Sequence, residues 1–246
     1  MAAGGGAAGG GTATAGSAGA GGNHVGGSVA TGGEHSTGGG GAAGGAPATT
    51  EVFDPLTDAA LRAGEVDKQV QGGSFTSDGW QATDGSSQLV IRLAQPRGNP
   101  GRLEIDVRNF DPKAQSTGVK HEIINLYSQA NGSKEIFETL GSWWNVRSGT
   151  NYLADPMGIK FLSAVQGVAT RLETRLQTAV AWDLTQTYRF AVDWTDTEIT
   201  ISLDGSPVQS HSWGAMAEPF EYVFIGTNNV YSAQVGPVYS NLRIRP

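Results

Sequence analysis

Residues 188–208 read YRFAVDWTDTEITISLDGSPV, and the reading of that stretch decides the fold class. Tyr188, Phe190, Val192 and Trp194 alternate with Arg189, Ala191 and Asp193; Ile199, Ile201 and Leu203 repeat the alternation after a WTDT connection. Side chains two apart share one face of an extended chain, so each run has an apolar side for a core and a polar side away from it. Asp204-Gly205 then supplies the dipeptide that two-residue hairpin turns favour. The stretch predicts consecutive antiparallel strands.

The same pattern extends outward along the chain. SFTSDGWQATD (74–84) gives two short strands about Asp78-Gly79, and SQLVIRLAQ (87–95), GRLEIDVRNF (101–110), HEIINLYSQ (121–129), SWWNVR (142–147) and IKFLSAV (159–165) follow. FEYVFIG (220–226) and VYSNLRIRP (238–246) close the series. TRLETRLQTAVAW (170–182) reads as a strand from its threonines, with Leu172, Leu176, Val180 and Trp182 opposite Arg171, Glu173, Arg175 and Gln177. Only DAALRAGEVDKQ (58–69) looks helical. About a dozen strands and one short helix predict an all-β, antiparallel two-sheet β-sandwich.

Composition divides the chain in two. Of the first 50 residues 20 are Gly and 13 are Ala, and no Lys or Arg precedes Arg62. Such a segment has nothing to bury against the entropy of ordering, so 1–50 is expected to be a disordered Gly/Ala-rich linker and 51–246 the sandwich domain. His24 and His35 stand alone in that tract and read as solvated linker. Spacers of this composition suit exported proteins, which makes a secreted or cell-surface location the expectation. MAAGGG lacks the charged and apolar regions of a signal peptide, leaving the export signal to be sought upstream.

A net charge of −7 and a pI near 5.0, without a Lys/Arg run, argue against nucleic acid and against a membrane surface as partners. No stretch approaches transmembrane length, so no membrane insertion is expected, and a monomer is the default. There is no Cys for a disulfide or a metal set. No cofactor is predicted. Asp78 and Asp84, each before a Gly in a turn, are candidates for a structural Ca²⁺, although turn formation accounts for both.

The stretch 188–208, with GGSFTSDGWQAT (72–83), GRLEIDV (101–107) and GPVYSNLRI (236–244), resembles the concanavalin A-like lectin/glucanase superfamily. The resemblance covers about residues 72–246 and implies a jelly roll whose concave sheet carries a carbohydrate groove. Within that superfamily the family 16 glycoside hydrolases carry E-x-D-x-x-E or E-x-D-x-E on their catalytic strand. Glu104 and Asp106 match the first two acids, whose roles there are nucleophile and assistant; Arg108 or Asn109 stands at the third. Retaining glycosidases need carboxyls about 5–5.5 Å apart, a spacing the neighbours Glu104 and Asp106 could meet. GRLEIDVR also resembles the strand preceding the catalytic one. In that alignment KHEIINLYS takes the catalytic place and offers Glu122, with Ile124, Leu126 and Tyr127 where its partners should be.

The polar faces collect a further set. Glu104, Asp106 and Arg108 come from one strand, and His121, Asn125 and Tyr127 from the next. Trp143, Asn145 and Arg147 follow, then Arg171, Glu173, Arg175 and Gln177. Aromatic faces with Asn, Asp and Arg are what sugar sites are built from, and the alternating Arg and Glu equally suit a solvated sheet laced with ion pairs. His121 and Tyr127, with the Arg and Gln residues, also resemble the proton-transfer and carboxylate-neutralising groups of jelly-roll polysaccharide lyases. RLETR shares the R-x-E-x-R spacing of the alginate lyases, whereas their Q-I-H and Y-x-K-A-G motifs are absent. The leading expectation is carbohydrate binding by a lectin-like face, with acidic glycans favoured by the Arg content. A divergent glycoside hydrolase or uronate lyase is the alternative, and a structural or adhesive surface protein a third class.

Overall fold

Alternation becomes architecture in a computed structural model that describes residues 51–98, 100–112, 120–128, 143–149, 159–164, 172–175, 182–212, 219–227 and 232–246. At 120, 143–149, 159–164, 172–175, 208, 209 and 211 only the backbone is described. The expected strand-turn-strand units form as read. β11 (Thr187–Trp194) pairs antiparallel with β12 (Glu198–Leu203), setting Phe190 opposite Leu203, Val192 opposite Ile201 and Trp194 opposite Ile199. The Asp204-Gly205 turn leads into β13 (Ser206–Ser212), with φ of 49° and 80°, the left-handed pair a type I′ turn requires.

These strands belong to the first of two sheets. Its order is β13, β12, β11, β6 (Gly101–Arg108), β16 (Val238–Arg245), β4 (Gly79–Gln81), β3 (Ser74–Thr76), with β1 (Val52–Asp54) also on β16. The second sheet runs β10 (Leu172–Arg175), β9 (Ile159–Ala164), β8 (Trp143–Gly149), β7 (Lys120–Tyr127), β14 (Phe220–Gly226), β5 (Gln88–Arg97), β2 (Glu65–Gln71). The two-residue β15 (Ser232–Ala233) lies parallel to β7; among the described residues every other pairing is antiparallel.

One core fills the space between the sheets. Leu103, Ile105 and Val107 of β6, and Tyr188, Phe190, Val192 and Trp194 of β11, meet Leu89, Ile91 and Leu93 of β5 and Val223 and Ile225 of β14. Each such side chain taken from water contributes roughly 1.5–3 kcal/mol. Trp194 packs edge-on against Phe220, centroids 5.4 Å apart, and Trp182 stacks on Tyr188 at 3.9 Å while donating to Phe110 O.

One element differs from expectation. Residues 58–69 contain no helix: 57–64 form bends and turns, and β2 begins at Glu65. The i, i+3 pair Glu65 and Lys68, which suits a helix, is used in a strand, where Lys68 Nζ turns inward to meet Asp54, Glu65 Oε2 at 3.2 Å and Ala60 O at 2.7 Å. Backbone pairing of β2 with β5 and this buried ion cluster outweigh the local helix preference.

Candidate functional site

β7 separates the core from an outer face by alternation. Ile124 and Leu126 point into the core, so Asn125 and Tyr127 take the other side. Across the strand boundary Phe224 pairs with Asn125 and Tyr222 with Tyr127, and beyond them Val90 and Arg92 of β5 continue the two rows. Tyr127 and Phe224 meet edge-to-face with centroids 5.2 Å apart; Val90 and Tyr222 pack against them as an apolar cluster outside the main core. The Arg92 guanidinium lies 5.8 Å from the Tyr222 ring centroid, and its Nε donates to Glu221 Oε1 at 2.6 Å. Tyr222 and Arg92 remain partly open to solvent.

Asn125 is the anomaly in this face. It is fully buried, yet neither its Oδ1 nor its Nδ2 meets a hydrogen-bond partner among the described residues. A buried amide left so costs about 1–3 kcal/mol, which a Leu of similar size would not.

On the other side of β7 the backbone register carries the same face across three more strands. Trp143 stands opposite Tyr127, and Asn145 opposite Asn125. Asn145 then pairs with Leu162 and Leu162 with Glu173. Two residues along β8 from Asn145, Arg147 pairs with Lys160 and Lys160 with Arg175. Thus Asn125, Tyr127, Trp143, Asn145, Arg147, Glu173 and Arg175, grouped from sequence, share one face of one sheet. Arg171 and Gln177 lie outside the described residues.

A register shift between Glu122 and Ile124 changes the start of β7. It lets Ile123 and Ile124 both enter the core, which simple alternation forbids. Beyond the shift Glu122 is fully buried, opposite Arg147 on one side and Ala233 on the other. Burial, and secondarily the charge of Glu122, push the Tyr239 phenol well above its ordinary value. His121 is 8% exposed; burial holds its imidazole below the ordinary value, while hydrogen bonding to the backbone at Ser232 and Ala233 works the other way. Six residues separate His121 from Tyr127, about 20 Å along a strand, so these two do not converge on one reacting carbon.

Glu104, Asp106 and Arg108 lie on the outer face of the first sheet, across the sandwich from Asn125 and Tyr127. Consecutive strands β6 and β7 enter different sheets, which divides the set that sequence had placed together. Around an open hollow of about 410 Å³, Arg189 grips Asp106 through Nε at 2.6 Å and Nη2 at 2.8 Å, and Asn241 Nδ2 adds a bond at 2.9 Å. Arg102 Nη2 meets Glu104 Oε1 at 2.9 Å, Arg245 Nη2 meets Glu104 Oε2 at 3.2 Å, and Arg102 also reaches Asp193 at 2.6 Å. Both carboxylates are thus engaged by guanidinium groups.

The turn aspartates are likewise engaged. Asp78 Oδ2 accepts from Arg108 Nη2 at 2.8 Å, and Asp84 Oδ1 accepts from Ser86 N at 2.8 Å and Ser86 Oγ at 2.7 Å. Among the described residues no group of three or more His, Asp or Glu side chains converges as a metal site.

Sequence reasoning missed Val90, Arg92, Tyr222 and Phe224. FEYVFIG and QLVIRL are apolar on both sides, so period-2 contrast is weak; the aromatic pair two apart, Tyr222 and Phe224, was the available signal.

No family model matches the chain, and no curated protein matches it. Solved structures do. A β-glucanase of Bacillus licheniformis aligns with TM-score 0.50 and 14% identity over 80% of this chain and 98% of that one. The receptor-binding domain of botulinum neurotoxin D aligns with TM-score 0.54 and 7% identity over 79% of this chain, which spans about half (48%) of that one. At such identities the likeness is one of fold, the antiparallel two-sheet β-sandwich described above.

Proposed function

We propose that the chain binds carbohydrate through the outer face of the second sheet. The observation that carries this reading is the buried, unbonded Asn125 amide set beside the second apolar cluster, in which Tyr127 and Phe224 are buried and Tyr222 is partly exposed. Pyranose rings present apolar C–H faces that stack on aromatic rings, and hydroxyls that pair with amide donors and acceptors. Tyr222 supplies a partly exposed ring, and a hydroxyl that displaces what covers Asn125 would satisfy its amide. The sandwich fold shared with a β-glucanase is consistent with this use and does not by itself establish it.

Binding is favoured over cleavage by the placement of the candidate catalytic groups. Glu104 and Asp106 are engaged by arginines on the opposite face, and His121 and Tyr127 are too far apart for concerted proton transfer. Within the same proposal, the Gly/Ala-rich first 50 residues serve as a spacer on an exported protein.

Affinity electrophoresis in gels containing neutral or uronic polysaccharides tests the reading, with Tyr222→Ala alongside. Retention of the native chain, lost in Tyr222→Ala, is expected. No retardation by any polysaccharide overturns it. Release of reducing ends, or of products absorbing near 235 nm, would replace binding by hydrolysis or elimination respectively.

A further inference from the structure

Each sheet of the sandwich ends in two edge strands, and the four ends are closed in different ways. In the first sheet β3 has three residues and β13 carries Pro207; in the second β10 has four residues, of which Glu173 and Arg175 are charged. Shortness, proline and charge are the ordinary means of keeping a sheet edge from pairing with another chain. β2 is seven residues long and lacks proline. It pairs with β5 alone, so among the described residues no strand stands beside its other edge.

The side chains leave that edge open as well. Lys68 sits at the centre of β2, where a lysine would normally hold an edge in water. Its side chain is instead turned inward and only 1% exposed, bound to Asp54, to Glu65 Oε2 at 3.2 Å and to Ala60 O at 2.7 Å. Val66 and Val70, two positions to either side on the same face, are the ones exposed, at 49% and 42%. Val70 stands opposite the fully buried Leu89, so the apolar surface of the core runs out to this edge.

We propose that β2 is the surface on which a second copy of this chain docks, in place of the monomer taken as the default, the two β2 strands pairing antiparallel about a two-fold axis at Lys68. That register is self-complementary. Val66 lies opposite the partner's Val70 and Val70 opposite the partner's Val66, so the exposed valines cover one another twice. Asp67 lies opposite the partner's Gln69, whose amide can donate to it as Gln69 Nε2 does within the chain at 2.6 Å. Like charges meet only on the axis, where each Lys68 ammonium is already withdrawn against carboxylates. An axis at Asp67 would set that carboxylate against its own copy, and an axis at Gln69 would leave Val66 opposite Gly72. Pairing of this kind joins the second sheets of both copies edge to edge and lays their outer faces side by side. A polysaccharide long enough to span both faces would gain avidity, although dimerisation stands independently of the carbohydrate reading. Seven residues of edge make a small interface, which places the dimer among weak, reversible associations.

Sedimentation equilibrium of the full chain across the micromolar range tests the association, and cross-linking tests the register. A concentration-dependent equilibrium of monomer and dimer is expected, weakened about tenfold or more in Val70→Lys, which sets a charge against Val66 at both ends of the interface. Circular dichroism should show the fold unchanged, since Val70 is exposed. The chain has no cysteine of its own, so Val66→Cys and Val70→Cys chains can be mixed and oxidised with copper phenanthroline. Disulfide-linked dimers should form in the mixture and far less with either variant alone. Identical positions stand about 13 Å apart along the strands in this register, beyond the reach of a disulfide. Should Val70→Lys fail to fold, the cross-linking comparison decides alone. A chain that stays monomeric throughout, a dimer unaffected by Val70→Lys, or cross-linking as efficient in either single variant as in the mixture overturns the proposal.

Discussion

Asn125 is where a single side chain separates stability from function. Its amide is buried without a partner, so Asn125→Leu should raise stability by about 1–2 kcal/mol and Tm by a few degrees. Calorimetry checks the gain, and the same variant should lose polysaccharide retention. Lys68 is the converse: its ammonium and the carboxyls of Asp54 and Glu65 are almost wholly shielded, so Lys68→Met should cost about 3–5 kcal/mol in denaturant unfolding. Two buried groups give opposite pH signatures. His121 titrates below its unfolded value near 6.5 because burial disfavours the imidazolium, so the unfolded chain binds the extra proton first. Stability is therefore lost as pH falls below 6.5, and His121→Gln should reduce that loss. Glu65 is shifted upward, by burial first, with Asp54 adding to it; the folded state then holds the proton longer, and stability declines as pH rises above 4.5. Glu65→Gln should flatten that decline in urea titrations. At this scale the sequence was readable wherever contrast was strong, as in Tyr188 to Trp194, and silent about Lys68, since a buried lysine has the same letter as an exposed one.

Turns and strand irregularities decide which residues become neighbours. Gly205 has φ of 80° with open space around an added Cβ, so Gly205→Ala should cost about 1 kcal/mol from backbone strain alone. Gly79 has φ of 137°, and a Cβ there would stand 2.2 Å from Tyr239 O, so Gly79→Ala should cost distinctly more. Comparing the two unfolding midpoints checks the difference. Both Asp-Gly turns were legible from dipeptide chemistry. The register shift in β7 was not: nothing in HEIINLY states that Ile123 and Ile124 both face the core, and that fact alters the setting of His121 and Glu122. The helical reading of 58–69 failed for a related reason, because long-range pairing with β5 and the Lys68 cluster overrode a local pattern.

At the scale of the whole molecule, the sandwich presents two outer faces with different chemistry. On the first sheet, arginines pair with carboxylates around Glu104 and Asp106; on the second, the unbonded Asn125 amide lies beside the cluster of Tyr127, Phe224 and Tyr222. Alternation assigns a residue to the polar side of its strand without naming the sheet that strand joins. Glu104 and Asn125 therefore looked like neighbours and stand on opposite sides, while the register puts Asn125, Tyr127, Trp143, Asn145 and Arg147 on one face of one sheet. Asp106→Asn should cost about 2 kcal/mol through weakened bonds to Arg189 and Asn241, with no effect on ligand binding. The most direct test of the carbohydrate-binding face is therefore a paired measurement of polysaccharide retention by the native chain, Tyr222→Ala and Asp106→Asn. The account predicts retention of the native chain, loss in Tyr222→Ala and no change in Asp106→Asn; absence of any retention, or loss in Asp106→Asn with Tyr222→Ala unaffected, would contradict it.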